Sequence, residues 1–504
     1  MQLKIYIQML RTFLIKKKTV ILIFSLLLWF PVFAQQSSQD KPSYVELKKV
    51  FAKSYQNLES AINGKSSARL YNIQLWTNNL LQAAFNQKDY GILDSLSRLY
   101  FEAYKQLQQP EYYVANLGNT LDSFRLEGKY KMWLEQEKFI YETDTINYKR
   151  EVLLNSTQFA YVVSNAINFI SQLPERTAYM DSLLYYVPVL IKDHYERWIF
   201  GKEGSFQMQG WGCINGRYNH VEYLTLKKKR FFGKVSYCRA ILDQDMWIMA
   251  GVIELLAAHK KNPELIPLAD SLESNFYNYI NSSISLIENR FVETTLIDFN
   301  GNLTVGTAFD LKSFIDHEDS FYANYTGENF PSEDDKKKIK KIGWDISHMR
   351  RFVQIVSSIE RNKEITGIHF SDSLLTAKIS NQFIYGIFNG DYEKPLFANY
   401  FDGQNGWYRV GYHGEGFGYG PSDLSDAGFT GGYLFWGKYN ANIQKLSIAM
   451  WKYFNTTTPE IVTHREQHYG RYYKNGERTP AINYHDKNKA SNLLFLLMYL
   501  PCYF

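Results

Sequence analysis

Cysteine is scarce: Cys213, Cys238 and Cys502 are the three in a chain of 504 residues. An odd count cannot pair completely within one chain, and three cysteines in so long a chain do not make a disulfide scaffold. Cys213 and Cys238 can bridge, or each can sit as a buried thiol. No CxxC is present, so the sequence suggests neither a cysteine-rich zinc site nor a thioredoxin-like centre. It also lacks GxSxG, a P-loop and HExxH. His464 and His468 have i,i+4 spacing without the HExxH order, so a structural pair is expected there rather than a metal site. No repeat of fixed period runs along the chain. Acids are missing from residues 1–34, where Lys4, Arg11, Lys16, Lys17 and Lys18 account for the whole formal charge of +5. Without them 51 bases stand against 51 acids. Bulk attraction to nucleic acid is therefore not expected.

What is present begins with a leader. The basic residues precede TVILIFSLLLWF and then Val32-Phe33-Ala34, a charged, apolar and small-x-small succession. The apolar run is shorter than the roughly 20 residues a spanning helix needs. A signal peptide over 1–34 is expected, with cleavage after Ala34 and a periplasmic or secreted mature chain that carries no stable membrane span.

Residues 35–504 read as helix after helix. In YCRAILDQDMWIMAGVIELLAAHKK, Ile241, Met246, Met249, Val252 and Leu256 fall near one helical face, and Leu255 widens the stripe enough for packing on both sides. The segment from Arg176 to Phe200 is expected to bend or restart near Pro188. No composition break divides the mature chain. The expectation is one all-α domain over 35–504, an α/α toroid of helical hairpins rather than an open solenoid. Its helix spacing is variable and its polar loops are long. The charged stretch 316–341 reads as a surface excursion.

Three clusters carry candidate chemistry. Residues 402–440 hold 11 glycines and 10 aromatics, which suggests tight turns presenting flat faces, as cleft-forming loops or a small β-hairpin. Trp407, Tyr408, Tyr412 and Tyr419 are candidates to stack on sugar rings. His413 and Glu415 are candidates for proton transfer, with Arg409 and Asp423 beside them. In the second cluster, Asp345 caps a helix running to Glu360 and shares a face with His348. A carboxylate there fixes the imidazole tautomer, and Arg350 and Arg351 suit bidentate carboxylate binding. In the third, Asn215, Arg217 and His220 are candidates to hold a sugar hydroxyl or an acidic group. Asp243 and Asp245, two apart in a helix, do not face one another, and Asp310, Asp316 and His317 form another candidate rim.

With these clusters the chain resembles secreted α/α-toroid enzymes that act on polysaccharides, especially uronate-cleaving lyases. The resemblance implies a polysaccharide or oligosaccharide substrate, acidic in kind, cleaved by β-elimination. Arg350 or Arg351, with Asn215, would neutralise the uronate carboxylate. His348 or His413 would take the C5 proton, and Tyr408 or Tyr412 would protonate the leaving oxygen. No cofactor is required by this chemistry, and Asp-rich loops are able to take up structural calcium. One alternative is an inverting glycoside hydrolase using two of Glu415, Asp345, Asp310 and Asp423. Another is a non-catalytic glycan-binding or envelope scaffold protein. Acids alone at the floor favour hydrolysis; His, Tyr and Arg there favour elimination.

Overall fold

Polar side chains mark where several helices begin. Ser43, Asp89, Thr177 and Asn219 each accept a hydrogen bond from a first-turn backbone N–H. The computed structural model describes residues 41–504 apart from 65, 117–120, 127–129, 142–143, 202–218, 230–235, 328, 413–415, 470–472, 475–476 and 479–488. The leader over 1–34 lies outside the described residues. Among those described, the fold is helical, with fifteen α-helices and four two-stranded antiparallel sheets.

In chain order the first elements are α1 (Tyr44–Asn63), α2 (Ser67–Asn86), α3 (Tyr90–Tyr104), β1 (Tyr112–Asn116), β2 (Leu121–Arg125), β3 (Glu135–Tyr141) and β4 (Asp144–Arg150). They are followed by α4 (Leu153–Ile170), α5 (Ala178–Phe200), α6 (His220–Lys228), α7 (Ser236–Arg239), α8 (Asp243–Lys261), α9 (Asp270–Glu288), β5 (Phe291–Ile297) and β6 (Leu303–Phe309). The last are α10 (Ile346–Thr366), α11 (Leu375–Asn381), α12 (Ala427–Thr430), α13 (Ala441–Asn455), α14 (Pro459–His468), β7 (Tyr473–Lys474), β8 (Glu477–Arg478) and α15 (Ala490–Tyr499). Residues 43–504 form one compact unit.

Two helices lie at its centre. Every residue of α4 from Ser156 to Ile170 is buried, as is every residue of α8 from Asp245 to Ala258. Such all-round burial is what the wide apolar stripe of α8 predicts. Helix α2 packs on α4, α4 on α8, and α8 on α10; α10 touches α12, α12 touches α15, and α15 returns to α2. The first four run parallel. At one end Asn155 of α4 bonds Ser67 of α2, and Arg351 of α10 bonds Tyr71 of α2 and pairs with Asp243 of α8. At the other end Asn168 of α4, Glu254 of α8 and Asn362 of α10 meet.

Glu254 is fully buried. It accepts from Asn168 at 2.6 Å and Asn362 at 3.1 Å and is ion-paired with Arg361. Asn165, Asn78 and Gln354 continue this polar chain between α4, α2 and α10.

Two expectations are corrected. Pro188 does not break the Arg176–Phe200 segment: Ala178–Phe200 is a single helix with Pro188 buried inside it. Burial of its ring and of Val187 and Ile191 around it offsets the lost backbone bond. Six strands, β1 to β6, also stand where the sequence reads as connectors between helices. In β4 only Tyr148 is buried, β5 has no buried position, and β6 is buried continuously from Gly306 to Phe309, so none of these three alternates between buried and exposed faces. The β3–β4 hairpin is nevertheless tied in. Glu135 accepts from the Ser67 backbone N–H at 2.7 Å, capping α2, and Glu151 holds Arg197 of α5 through two bonds of 2.7 and 2.9 Å. Cys238 is disulfide-bonded and Cys502 is a free thiol; Cys213, the remaining cysteine, lies outside the described residues.

Next to Arg197, His194 stacks between Trp133 and Trp198, with ring centroids 5.2 Å away on each side. Burial, with the Arg197 charge adding to it, pushes the imidazole well below its usual value, so it is neutral in the fold. In the unfolded chain it gains a proton below about pH 6.5. Stability is therefore expected to fall as pH drops through that value, by about 1.4 kcal/mol per pH unit for this residue. Melting temperatures between pH 8 and 5 should show a shallower decline in His194→Gln. A second test is Glu254→Ala, which strands Arg361 and should cost about 3–5 kcal/mol in urea unfolding.

Candidate active site

The ends of α4, α8 and α10 where Asp243 and Arg351 pair carry a cavity of about 860 Å³, counting the space open to solvent. Leu154, Asp243, Gln244 and His348 come from the helices, and segments 314–320, 343–345 and 400–412 complete the wall. Buried ion pairs set these segments in place. Arg290 pairs with Asp310 at 2.6 Å and donates to the carbonyls of Lys227 and Arg239, while Asp310 accepts from the Ile241 N–H at 3.2 Å. Arg239 in turn pairs with Asp316. The turn that follows thereby delivers His317, Asp319 and Ser320 to the wall.

Asp345 caps α10 and is buried. One oxygen accepts from the backbone N–H groups of Ser347 and His348, both at 3.1 Å, and from the Ser347 hydroxyl at 2.5 Å. The other lies 2.8 Å from Nδ1 of His348. Burial alone would raise this carboxyl, but the His348 charge and these hydrogen bonds outweigh it and hold it well below the usual carboxylate range. Asp345 is thus a permanent anion that orients His348. The Nε2 of His348 has no protein partner among the described residues, and its side chain is 22% exposed on the cavity wall.

The Tyr408 hydroxyl lies 3.3 Å from the same Nδ1 and 3.4 Å from an oxygen of Asp319. Burial, reinforced by the Asp345 charge, raises this phenol well above its ordinary value, so it keeps its proton. Arg409 adopts φ of 60°, a left-handed backbone rare for arginine. It is pinned there because its N–H donates to the Asp319 carbonyl at 3.0 Å and its Nε donates to the Asp319 carboxylate at 2.9 Å. Its guanidinium lies over the ring of Tyr412 at 4.4 Å. His317 accepts from the Asp319 N–H at 3.2 Å through Nδ1, and burial lowers its pKa despite the Asp319 and Glu318 charges. Phe314, Trp344 and Tyr400 supply apolar wall.

Of the residues singled out in the sequence, His317, Asp345, His348, Tyr408, Arg409 and Tyr412 therefore meet around one cavity. Others do not join it. Both ring nitrogens of His220 are engaged inside the fold, one 2.7 Å from Tyr279 and the other 2.8 Å from Asp245. It belongs to a buried cluster with Lys227 rather than to a substrate surface, because Asp245 needs both partners to stay ionised; its pKa is lowered to about 2. Trp407 is buried, with its indole donating to the Gly327 carbonyl, and Tyr419 pairs its backbone with Tyr408. Neither lines the cavity. Among the described residues of 402–440, where cleft-forming loops or a small β-hairpin were expected, that bridge is the one strand-like pairing between them, and Phe429, Tyr433 and Trp436 of the same stretch are core. Asp423 accepts from the Gly420 N–H as a turn former. Arg351 is committed to Asp243, the Tyr71 hydroxyl and the Ser347 carbonyl. Arg350, one residue earlier, makes neither a hydrogen bond nor an ion pair among the described residues. Asn215, Arg217, His413 and Glu415 lie outside the described residues.

Asp319 is the cavity residue that sequence reasoning missed, and Asp243 the one it set aside. The stretch 316–341 begins inside the protein: His317, Asp319, Ser320, Tyr322 and Ala323 are all buried. Tyr322 and Ala323 among acids were the signal that this part is not a solvated run. His464 and His468 stand with rings 4.6 Å apart, and His464 bonds Tyr453. Among the described residues no three His, Cys, Asp or Glu converge on a metal position, and no helix is long and apolar enough to cross a membrane. No protein-family model, curated protein or solved structure matches the chain significantly.

Asp345 acts both as helix cap and as partner of His348, and two substitutions separate the roles. Asp345→Asn keeps a capping oxygen and should melt within about 0.5 kcal/mol of the wild type as far as the cap is concerned. Asp345→Ala loses the cap, for a further cost of about 1 kcal/mol measured by denaturant unfolding at pH 7. The Asp345 contribution is present above the ordinary carboxylate range and is lost as pH falls toward the depressed folded value. The gap between wild type and Asp345→Ala should therefore narrow in acid.

Proposed function

We propose that this is a secreted or periplasmic enzyme that cleaves a uronate-containing glycan by β-elimination. The observation that carries the reading is the Asp345–His348 pair, with Nδ1 of the imidazole 2.8 Å from a permanent carboxylate and Nε2, on a cavity wall, unpartnered among the described residues. An imidazole held this way donates through Nδ1 and accepts through Nε2, the arrangement of a general base. Tyr408, a phenol that keeps its proton beside the same ring, suits the acid role.

In the proposed reaction Nε2 of His348 takes the C5 proton of the uronate. The electron pair of that bond forms the C4–C5 double bond, the C4–O bond breaks, and the leaving oxygen receives a proton from Tyr408. The carboxylate next to the departing proton needs a cation or donors to hold its growing charge. We also read the cyclic order of helix contacts, from α2 back to α2, as an α/α toroid whose cavity sits at the starting ends of the inner helices. Export after Ala34 belongs to the same proposal.

Asp243 and Asp319 favour one second reading. Both line the cavity, and Asp243 has Arg351 as its ion-pair partner across 3.3 Å. Two such acids suit an inverting hydrolase.

The test incubates residues 35–504 with uronate-containing and neutral polysaccharides. Ultraviolet absorbance of an unsaturated uronate and new reducing ends are followed together. Rising absorbance with new ends is expected, with kcat falling about 10²–10⁴-fold in His348→Gln. New ends without absorbance, abolished by Asp319→Asn or Asp243→Asn, would replace elimination by hydrolysis.

A further inference from the structure

Helix α5 carries an exposed aromatic face and a second cavity that the His348 site does not use. Tyr186, Leu190, Asp193 and Arg197 follow at steps of four, three and four residues and so form one stripe along the helix. Near its start Tyr185 and Tyr186 are 75% and 56% exposed, with their rings edge to face at 4.9 Å. Phe101 of α3 packs against Tyr186 at 5.7 Å, and Val189 beside them is exposed as well. Contiguous exposed apolar groups of this kind mark a binding surface. Further along, the stripe borders a cavity of about 610 Å³, counting the space open to solvent. Leu190, Asp193, His194 and Arg197 line it, with Tyr130 and Lys131 of the segment before β3.

His194 distinguishes this cavity from an ordinary surface hollow. It is 2% exposed, and Trp133 and Trp198 cover both faces of its ring, so only the ring edge is left to meet the cavity. A guanidinium has only donors, so Nδ1, 3.4 Å from Arg197, accepts. The ring is neutral in the fold, which puts its hydrogen on Nε2. That N–H is buried and has no acceptor among the described residues. A buried donor left unmade is costly, and native structures keep few of them.

Charge decides what completes the site. Arg197 is neutralised by Glu151, and Lys131 and Asp193 contribute one charge of each sign, so neither an anion nor a cation is called for. The stripe offers a donor at His194, an acceptor at Asp193 and an open ring at Tyr186. A ring bearing hydroxyls satisfies all three, because a hydroxyl both donates and accepts while the apolar face of the ring stacks.

We propose that the stripe from Tyr186 to His194 is a second binding site, taking a neutral sugar residue of an oligosaccharide. One hydroxyl of that sugar accepts from Nε2 of His194 and donates to Asp193. An adjoining sugar lies on Tyr186, two turns or about 10 Å back along α5. The site binds and does no chemistry, so it stands apart from the elimination reading. It nevertheless adjoins the same end of α4: Glu151 precedes that helix and holds Arg197, and Leu154 in its first turn lines the His348 cavity. A glycan anchored here by a neutral residue is kept beside the start of α4, where the His348 cavity opens.

The test titrates residues 35–504 by calorimetry with neutral hexasaccharides of glucose, mannose, xylose and galactose, and with acetate as the anionic control. At least one hexasaccharide is expected to bind the wild type. Tyr186→Ala and Asp193→Ala, both at the surface, should each raise its Kd by at least about tenfold, and Tyr186→Trp should keep it near the wild-type value. His194→Phe keeps a ring between the two indoles, deletes the donor and should abolish binding, with its fold checked by its melting curve. His348→Gln should bind as the wild type does, which separates this site from the catalytic cavity. No binding by any of the hexasaccharides, or the same Kd in Tyr186→Ala and Asp193→Ala as in the wild type, overturns the site. A response to acetate that His194→Phe removes, with none to the sugars, puts an anion there and overturns it too. So does self-association that Tyr186→Ala abolishes without any sugar response, which makes the face an interface between copies. Binding that depends on Tyr186 in a protein that cleaves no polysaccharide leaves the site standing and removes β-elimination. Cleavage of a uronate polymer without binding here does the reverse.

Discussion

Glu254 carries a negative charge with no access to water, and three helices are arranged to keep that charge tolerable. A single carboxylate moved from water into the interior costs several kcal/mol unless partners surround it. Here α4 supplies Asn168, α10 supplies Arg361 and Asn362, and α8 supplies the acid itself. Sliding any of the three along its axis would break this set, so the polar centre fixes their register as well as their proximity. Hydrophobic burial on α4 and α8 holds the helices together but would tolerate several registers. The charge selects one.

That register decides what meets at the opposite end. Because the helices are parallel and aligned, Tyr71, Asp243, His348 and Arg351 arrive at one level, and loops of very different length close over them. A second buried cluster, with Asp245 between His220 and Lys227, braces the start of α8, where Asp245 also accepts from the Leu242 N–H. The ion pairs of Arg290 and Arg239 do the same for the segment before His317. The cavity is therefore made of mobile residue types held still: an imidazole by a carboxylate, a guanidinium by a carboxylate, and a phenol between the two.

Much of the helical fold was legible in the residues, because long amphipathic or fully apolar stretches such as α8 announce themselves by period. The hairpins were not, since β4 and β5 bury at most one side chain each and the inward side of β3 is mostly polar, Glu135 and Glu137 before Phe139. In the site, Asp345 and His348 could be read because helix capping and i,i+3 spacing are local facts. His220 was misread for the opposite reason: a histidine held between Asp245 and Tyr279 uses the same residue types as a functional one, and contacts 25 and 59 residues away decide between them. Asp319 was hidden in a charged stretch whose first residues turn inward and whose later ones stay outside.

From His348 to Arg361 along α10 is about 20 Å at the rise of an α-helix. Sites that far apart with no shared partner respond to substitution almost independently. Segments 314–320, 343–345 and 400–412 can then be rewritten by insertion or exchange while the Glu254 end continues to assemble the helices. The cavity wall and the polar centre that sets the helix register thus occupy opposite ends of α10, so the one is free to vary while the other is kept.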